Sequence, residues 1–194
     1  MSGRNTGQRR GAARQRILDA ASRLFYARGM TTTGIDAVTA EAGVAKMSLY
    51  NNFASKDELM TAYIEARQAE WLVLHRARAE AASTPSERVL AVFDAYIDHA
   101  SQEYEHGFRG CGLLNAAAEL PVDAAGRDAV RRHKEQVEQM LVDGLTEVGS
   151  ADPSVTAEHF SFLLEGAVSR AGLEGRPEKM VRARRIAASM VDAG

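Results

Sequence analysis

Residues 31–59 read TTTGIDAVTAEAGVAKMSLYNNFASKDEL, and their spacing predicts two short helices joined by a tight turn, then a third, capped helix. In the segment Gly34 to Glu41, Ile35 and Val38 stand three apart on one face, with Asp36 and Glu41 outside it. The turn falls at Ala42-Gly43-Val44, where Gly43 supplies the backbone freedom a sharp reversal between helices needs. In the segment Ala45 to Asn52, Leu49 points inward with Phe53 four residues on. The positions left outside are small, polar or basic: Ala45, Lys46, Ser48, Asn51 and Asn52. A helix with a thin apolar stripe and a face of hydrogen-bonding groups suits the major groove of DNA.

The run AGVAKMSLYNNFASKDEL also resembles the AGV-x3-[ST]-LY-x2-F-x-[SN]-K-x2-L signature of the tetracycline-repressor (TetR) family of bacterial regulators. Upstream, Arg16-Ile17-Leu18 through Ala21, Leu24-Phe25 and Gly29 are similar to that family's first helix. The matching region runs from about residue 14 to residue 60 without gaps. The resemblance implies an all-α fold of about nine helices. An N-terminal three-helix DNA-binding domain with a helix-turn-helix would precede a C-terminal helical ligand-binding and dimerisation domain. The corresponding expectation is a basic disordered arm over 1–11, a reading head over 12–57 and a ligand and dimer domain over 58–194. Two positions depart from the family pattern. Gly34 stands where many relatives have Ser or Thr, and Met47 replaces a frequent small residue.

Charge is divided along the chain. The formal net charge is −2, yet residues 1–60 carry nine Lys and Arg against five Asp and Glu, and the remainder carries 15 against 21. A basic end on an acidic body suits a polyanion held at one face, although a solvated basic tail has the same composition. With 45% apolar and 26% charged residues, the composition is that of an ordinary globular chain. No apolar run approaches the roughly 18–20 residues of a membrane span, and MSGRNTGQRRGAARQR lacks the apolar centre of a signal peptide. Cys111 is the only cysteine, which excludes an intrachain disulfide and a thiol-ligated zinc finger. A reducing cytoplasm, in association with the nucleoid, is the expected location.

Helical periodicity extends through the rest of the chain. The first helix is expected from about Ala12 to Arg28, closed by Gly29. Thr33-Gly34-Ile35-Asp36 and Ser55-Lys56-Asp57-Glu58 have the form of capping boxes. A long helix to about Ala82 follows, then one opened by Thr84-Pro85-Ser86-Glu87 with proline in the first turn. Further helices are expected over about Gly112–Glu119, Arg127–Val148, Asp152–Leu173 and Pro177–Val191.

Candidate contacts can then be named. The resemblance places Ser48 and Tyr50 against DNA, the tyrosine through its hydroxyl on a phosphate, and Lys56 on the DNA backbone, where a cation releases counterions. Thr33 and the Gly34 amide, at a helix N-terminus, suit a second phosphate. Lys46 and Asn51 are expected to read bases, since lysine donates to guanine acceptors and asparagine pairs with adenine. Asn52 suits either role, and Met47 suits either a thymine methyl or packing. The plain alternative is a solvated helix face.

A reading head this small needs two copies, so a homodimer on an inverted-repeat duplex operator is expected. Apolar stripes on the last two helices supply the candidate interface: Phe160, Leu163, Leu164, Ala167, Val168 and Ala171, with Ala183, Ala187 and Met190. The same stripes would also suit the chain's own core. A small lipophilic inducer would meet Phe93, Ile97, Cys111, Leu114, Asn115, Glu119 and Val137. Of these, Asn115 and Glu119 equally suit capping or packing, and Cys111 suits burial as a small apolar residue.

Catalysis finds no motif: there is no G-x-S-x-G elbow, P-loop or dinucleotide fingerprint. Glu103-x-x-His106 is half of a di-iron pattern whose second half is missing, so neither metal nor cofactor is expected. The reading is a ligand-responsive transcriptional regulator, most naturally a repressor. The alternative is a helical ligand-binding or protein-interaction module without specific DNA recognition.

Overall fold

The computed structural model describes residues 3–102 and 104–193, with side chains for 11–102 and 104–192. Among the described residues the chain is all-α, with nine helices in the order α1 (Gly3–Arg28), α2 (Ile35–Ala42), α3 (Lys46–Tyr50), α4 (Lys56–Ala81), α5 (Pro85–Ala100), α6 (Gly112–Ala118), α7 (Ala125–Glu147), α8 (Pro153–Glu174) and α9 (Glu178–Ala193). Helix α1 starts earlier than the periodicity predicts. Residues 3–11, expected as a disordered arm, are helical, while residues 1 and 2 lie outside the described residues.

Two compact units result, one made of Met1–Ala66 with Leu113–Ala129 and the other of Arg67–Gly112 with Val130–Gly194. They do not follow a single cut after residue 57.

The core of the first unit forms where the apolar stripes of α1, α2, α3 and early α4 converge. Ile17, Val38, Leu49, Phe53, Leu59 and Tyr63 are all essentially buried there, each contributing about 1.5–3 kcal/mol by leaving water. Phe25 and Tyr63 meet edge to face at 5.5 Å, and the Arg14 guanidinium lies 4.7 Å above the Phe53 ring. Arg23 of α1 donates to Glu41 of α2 at 2.9 Å, pinning those two helices at their surface.

Caps follow the sequence in two places out of three. Ser55 accepts from the Glu58 amide, and Thr84 with Glu87 forms a complete capping box behind Pro85. The box expected at residues 33–36 does not form. Gly34 is the N-cap of α2 with no side-chain cap, because the Thr33 hydroxyl instead donates to the Gly29 carbonyl at 2.6 Å.

In the second unit α9 packs on both α5 and α8. Phe93 and Phe160 meet edge to face at 5.7 Å in its core. Arg184 of α9 reaches Asp94 of α5 through two hydrogen bonds of 2.6 and 3.0 Å. The stripe expected to form a dimer surface is mostly inside this core: Phe160, Leu164, Ala167, Val168, Ala171, Ala183 and Ala187 are buried by the chain itself. Leu163 is half-buried and Met190 is exposed. Helices α8 and α9 turn Phe162, Leu173 and Ile186 outward along with Met190. No described helix is long and apolar enough to cross a membrane.

Candidate nucleic-acid interface

The turn between α2 and α3 rests on Gly43, whose φ of 61° and ψ of 42° lie in the left-handed region that favours glycine. Its amide bonds back to the Ala40 carbonyl at 3.2 Å, closing α2. The chain then enters α3 through an extended Ala45. Helix α3 is anchored from below by Leu49 and, just beyond its end, by Phe53, which are 0% and 1% exposed. Anchoring those two positions forces their neighbours outward: Met47 is 71% exposed and Tyr50 45%. Lys46 and Asn51 are exposed beside them, and Ser48 is half-buried. Met47 and Tyr50 therefore stand on the surface of the first unit rather than in its core.

Partners within the head narrow the roles of individual residues. Lys46 is paired with Asp36 of α2 at 2.8 Å, and the hydrogen bond it donates to that carboxylate, with the carboxylate's charge, raises the lysine pKa. The amine therefore reaches a base only by leaving or sharing Asp36. Asn52 donates to the Ser48 carbonyl at 2.7 Å, which commits its amide to the end of α3. Thr33 is buried with its hydroxyl on Gly29, so its side chain does not face a phosphate, whereas Gly34 beside it is exposed. Lys56 donates to the Thr31 carbonyl at 2.9 Å.

Glu119, expected at a ligand site, belongs to this same unit. One carboxylate oxygen accepts from the Met30 amide at 3.0 Å, and the other accepts from the Thr31 amide at 2.8 Å and the Thr31 hydroxyl at 2.7 Å. Burial works to raise its pKa, but those hydrogen bonds and the nearby Lys56 charge outweigh it and hold the carboxyl below its ordinary range. Glu119 and Asp36 are supports that the sequence reading did not assign to the head. Asp36 and Lys46 begin successive helices of a recognisable motif and were within reach of sequence reasoning. Glu119 is separated from Thr31 by 88 positions, and no local pattern joins them.

The residues expected to line a ligand site divide between the units. Phe93 and Val137 are part of the second unit's core, with Ile97 and Cys111 partly buried against it. Leu114 and Asn115 are exposed and belong, with Glu119, to the first unit. Among the described residues no three His, Cys, Asp or Glu side chains gather to hold a metal. His106 is exposed, and Glu103 lies outside the described residues.

Comparison with known proteins agrees with this geometry. The profile for "Bacterial regulatory proteins, tetR family" matches residues 17–63, and that for "Tetracyclin repressor-like, C-terminal domain" matches residues 85–187. The transcriptional regulator AcuR of Cereibacter sphaeroides is 30% identical over 189 residues, spanning 90% of this chain and 85% of that protein. The HTH-type transcriptional activator FasR of Mycolicibacterium smegmatis is 37% identical over 95 residues, 47% of this chain and less than half (43%) of that protein. A TetR-family regulator from Streptomyces coelicolor, solved by crystallography, superposes with a TM-score of 0.84 at 31% identity, covering 93% of this chain and 94% of its own.

Proposed function

The chain belongs to the TetR family of bacterial transcriptional regulators, and on that premise we propose that it binds an inverted-repeat operator as a homodimer and releases it when a small molecule occupies the C-terminal domain. Members of this family are regulators and not enzymes. The observation that carries the reading is α3 itself: Leu49 and Phe53 fix it from beneath while Met47 and Tyr50 stand clear of the surface. In this reading residues 12–57 read DNA and residues 58–194 carry ligand response and dimerisation. Tyr50 and Lys56 hold phosphates, and the Gly34 amide holds another at the start of α2. Met47 and Asn51 face base edges, with Lys46 joining them when DNA competes for its Asp36 ion pair.

Release requires that the ligand bind the conformation unfit for DNA more tightly than the competent one, since equal affinity for both would shift nothing. Repression is the simplest outcome of occupying a promoter. FasR is named an activator, and in this reading the sign of regulation depends on where the operator lies. The protein would act in the cytoplasm.

Selection from a random duplex pool at physiological salt tests the proposal. Enrichment of one inverted repeat is the expected result. Salt-sensitive retention of DNA with no enriched sequence would sink it and favour an interaction module with a merely basic face.

A further inference from the structure

The core of the second unit holds more polar chemistry than its packing uses. Trp71 and His133 are 2% and 1% exposed, with their rings edge to face at 5.4 Å. His75 stacks on Trp71 at 5.2 Å, and Tyr96 tilts against it at the same distance. Lys134 donates to the Tyr96 hydroxyl at 3.0 Å and reaches Glu165 at 2.6 Å. Within this one cluster three buried polar atoms have no hydrogen-bond partner: Trp71 Nε1, His133 Nδ1 and Glu165 Oε2. Buried polar groups are ordinarily paired, and these three orphans lie in side chains joined by the Trp71–His133, Trp71–Tyr96 and Tyr96–Lys134–Glu165 contacts.

The set has a definite chemistry. An indole N–H only donates, an ionised carboxylate only accepts, and a neutral imidazole does either. Burial and the Lys134 charge push the His133 imidazole down to about 4, so it is neutral. Lys134 is balanced by Glu165, and the buried Arg67 nearby by Glu70 at 2.7 Å. A charged ligand would therefore bring an uncompensated charge against the buried Trp71 and His133 rings.

We infer that the Trp71–His133–Glu165 cluster binds a small neutral molecule bearing a hydroxyl or primary amide on an aromatic body, which accepts from Trp71 and donates to Glu165. This rests on the reading of the C-terminal domain as the ligand receiver, and it moves the site away from Leu114, Asn115 and Glu119 onto α4, α7 and α8. An open groove lined by Leu72, His75, Gln136 and Met140 runs beside the cluster. His75 both faces that groove and stacks on Trp71, so the groove brings solutes to the outer side of the stack.

Trp71 is the only tryptophan in the chain, so its fluorescence reports this site alone. The full chain is titrated with benzyl alcohol, benzoate and toluene, which are similar in size and differ in polarity. Benzyl alcohol is expected to change Trp71 emission saturably and to bind at least about tenfold more tightly than the other two, because the site's polar atoms pair only with it. Glu165→Leu, which removes the acceptor and is checked for folding by circular dichroism, should reduce benzyl alcohol to the level of toluene. If that variant does not fold, Trp71→Phe read by calorimetry should show the same loss.

Tighter binding of benzoate overturns the neutral class, and equal binding of toluene overturns the hydrogen-bonding set. No saturable change with any probe assigns the orphan atoms to water and overturns the site. Operator binding measured in parallel separates this inference from the function it rests on. Benzyl alcohol bound at Trp71 with operator affinity unchanged upholds the site and removes ligand response. Operator release by benzoate alone upholds ligand response and overturns this ligand class.

Discussion

Glu119 holds the residue that leads into α2 from one side, and Lys56 holds it from the other. The carboxylate takes the amides of Met30 and Thr31 and the Thr31 hydroxyl, while the Lys56 amine takes the Thr31 carbonyl. Thr31 is thus bonded at both its backbone groups just before the Thr33-Gly34 step that opens α2. A methyl group added at Gly29 would stand 3.1 Å from the same carboxylate, which leaves that corner little slack. Glu119→Ala removes bonds made to a charged acceptor, and we expect a loss of about 1–3 kcal/mol with weaker operator binding and unchanged sequence preference. Thermal melts and operator titrations check this together, and an unchanged melting temperature would remove Glu119 as a support. The two faces of α3 were legible because its residues sit in one unbroken motif, with Leu49 and Phe53 inside and Met47 and Tyr50 outside. The commitments of Thr33 to Gly29 and of Asn52 to Ser48 were not, because a short polar side chain chooses among nearby carbonyls by geometry that spacing does not encode.

At the scale of elements, the helices were legible nearly to their ends, and what was hidden is the direction some of them face. Helix α8 carries Phe160, Leu163 and Leu164 beside Phe162, so apolar residues occur on more than one side and periodicity does not orient it. The structure resolves this with Phe160 at 0% and Phe162 at 66% exposure. A dimer built on the outward face would use Phe162, Leu173, Ile186 and Met190. Phe162→Glu should then leave the circular dichroism spectrum intact, convert the dimer to a monomer in analytical ultracentrifugation, and weaken operator binding. A variant that stays dimeric would move the interface elsewhere. The glycines of the same helix give a second, internal test. At Gly172 a methyl group would fall 2.5 Å from the Gly110 nitrogen and 2.7 Å from its Cα, both backbone, whereas at Gly166 it would meet nothing within 4 Å. Gly172→Ala should therefore destabilise by about 1–3 kcal/mol through overpacking. Gly166→Ala should stabilise by about 0.5–1 kcal/mol through helix propensity. Denaturant melts of the two variants in the same state of association decide between packing and propensity as the reason for each glycine.

At the scale of the molecule, buried histidines set how the protein responds to acid. Burial, aided by the Arg67 and Lys134 charges, pushes His99 down to about 3. Burial and Lys134 push His133 to about 4, and burial alone lowers His75. His99 is held by a hydrogen bond from the Arg67 guanidinium to its Nε2, and its backbone carbonyl accepts from the Tyr104 hydroxyl at 2.8 Å. All three histidines belong to the second unit. In the unfolded chain a histidine titrates near 6.5, so between about pH 6.5 and 4 the unfolded state binds protons that the folded unit refuses. Stability must then fall as the pH falls across that window, by up to about 1.4 kcal/mol per pH unit for each fully buried histidine. Glu119 in the first unit has the same sign in a lower window. Its depressed pKa contributes stability above the ordinary carboxylate value, and that contribution is lost as the pH falls through and below it. Acid should therefore loosen the second unit first, well before carboxylates protonate. Because Trp71 lies in that unit against His75 and His133, its emission should report melting temperatures that drop steadily from pH 7 to pH 5. His133→Phe, which removes one titrating group and keeps a ring against Trp71, should flatten the slope over the same range. A melting temperature constant from pH 7 to pH 5 would mean that these imidazoles meet solvent protons freely, and the buried polar cluster would lose its dry character along with its claim to recognise a neutral ligand.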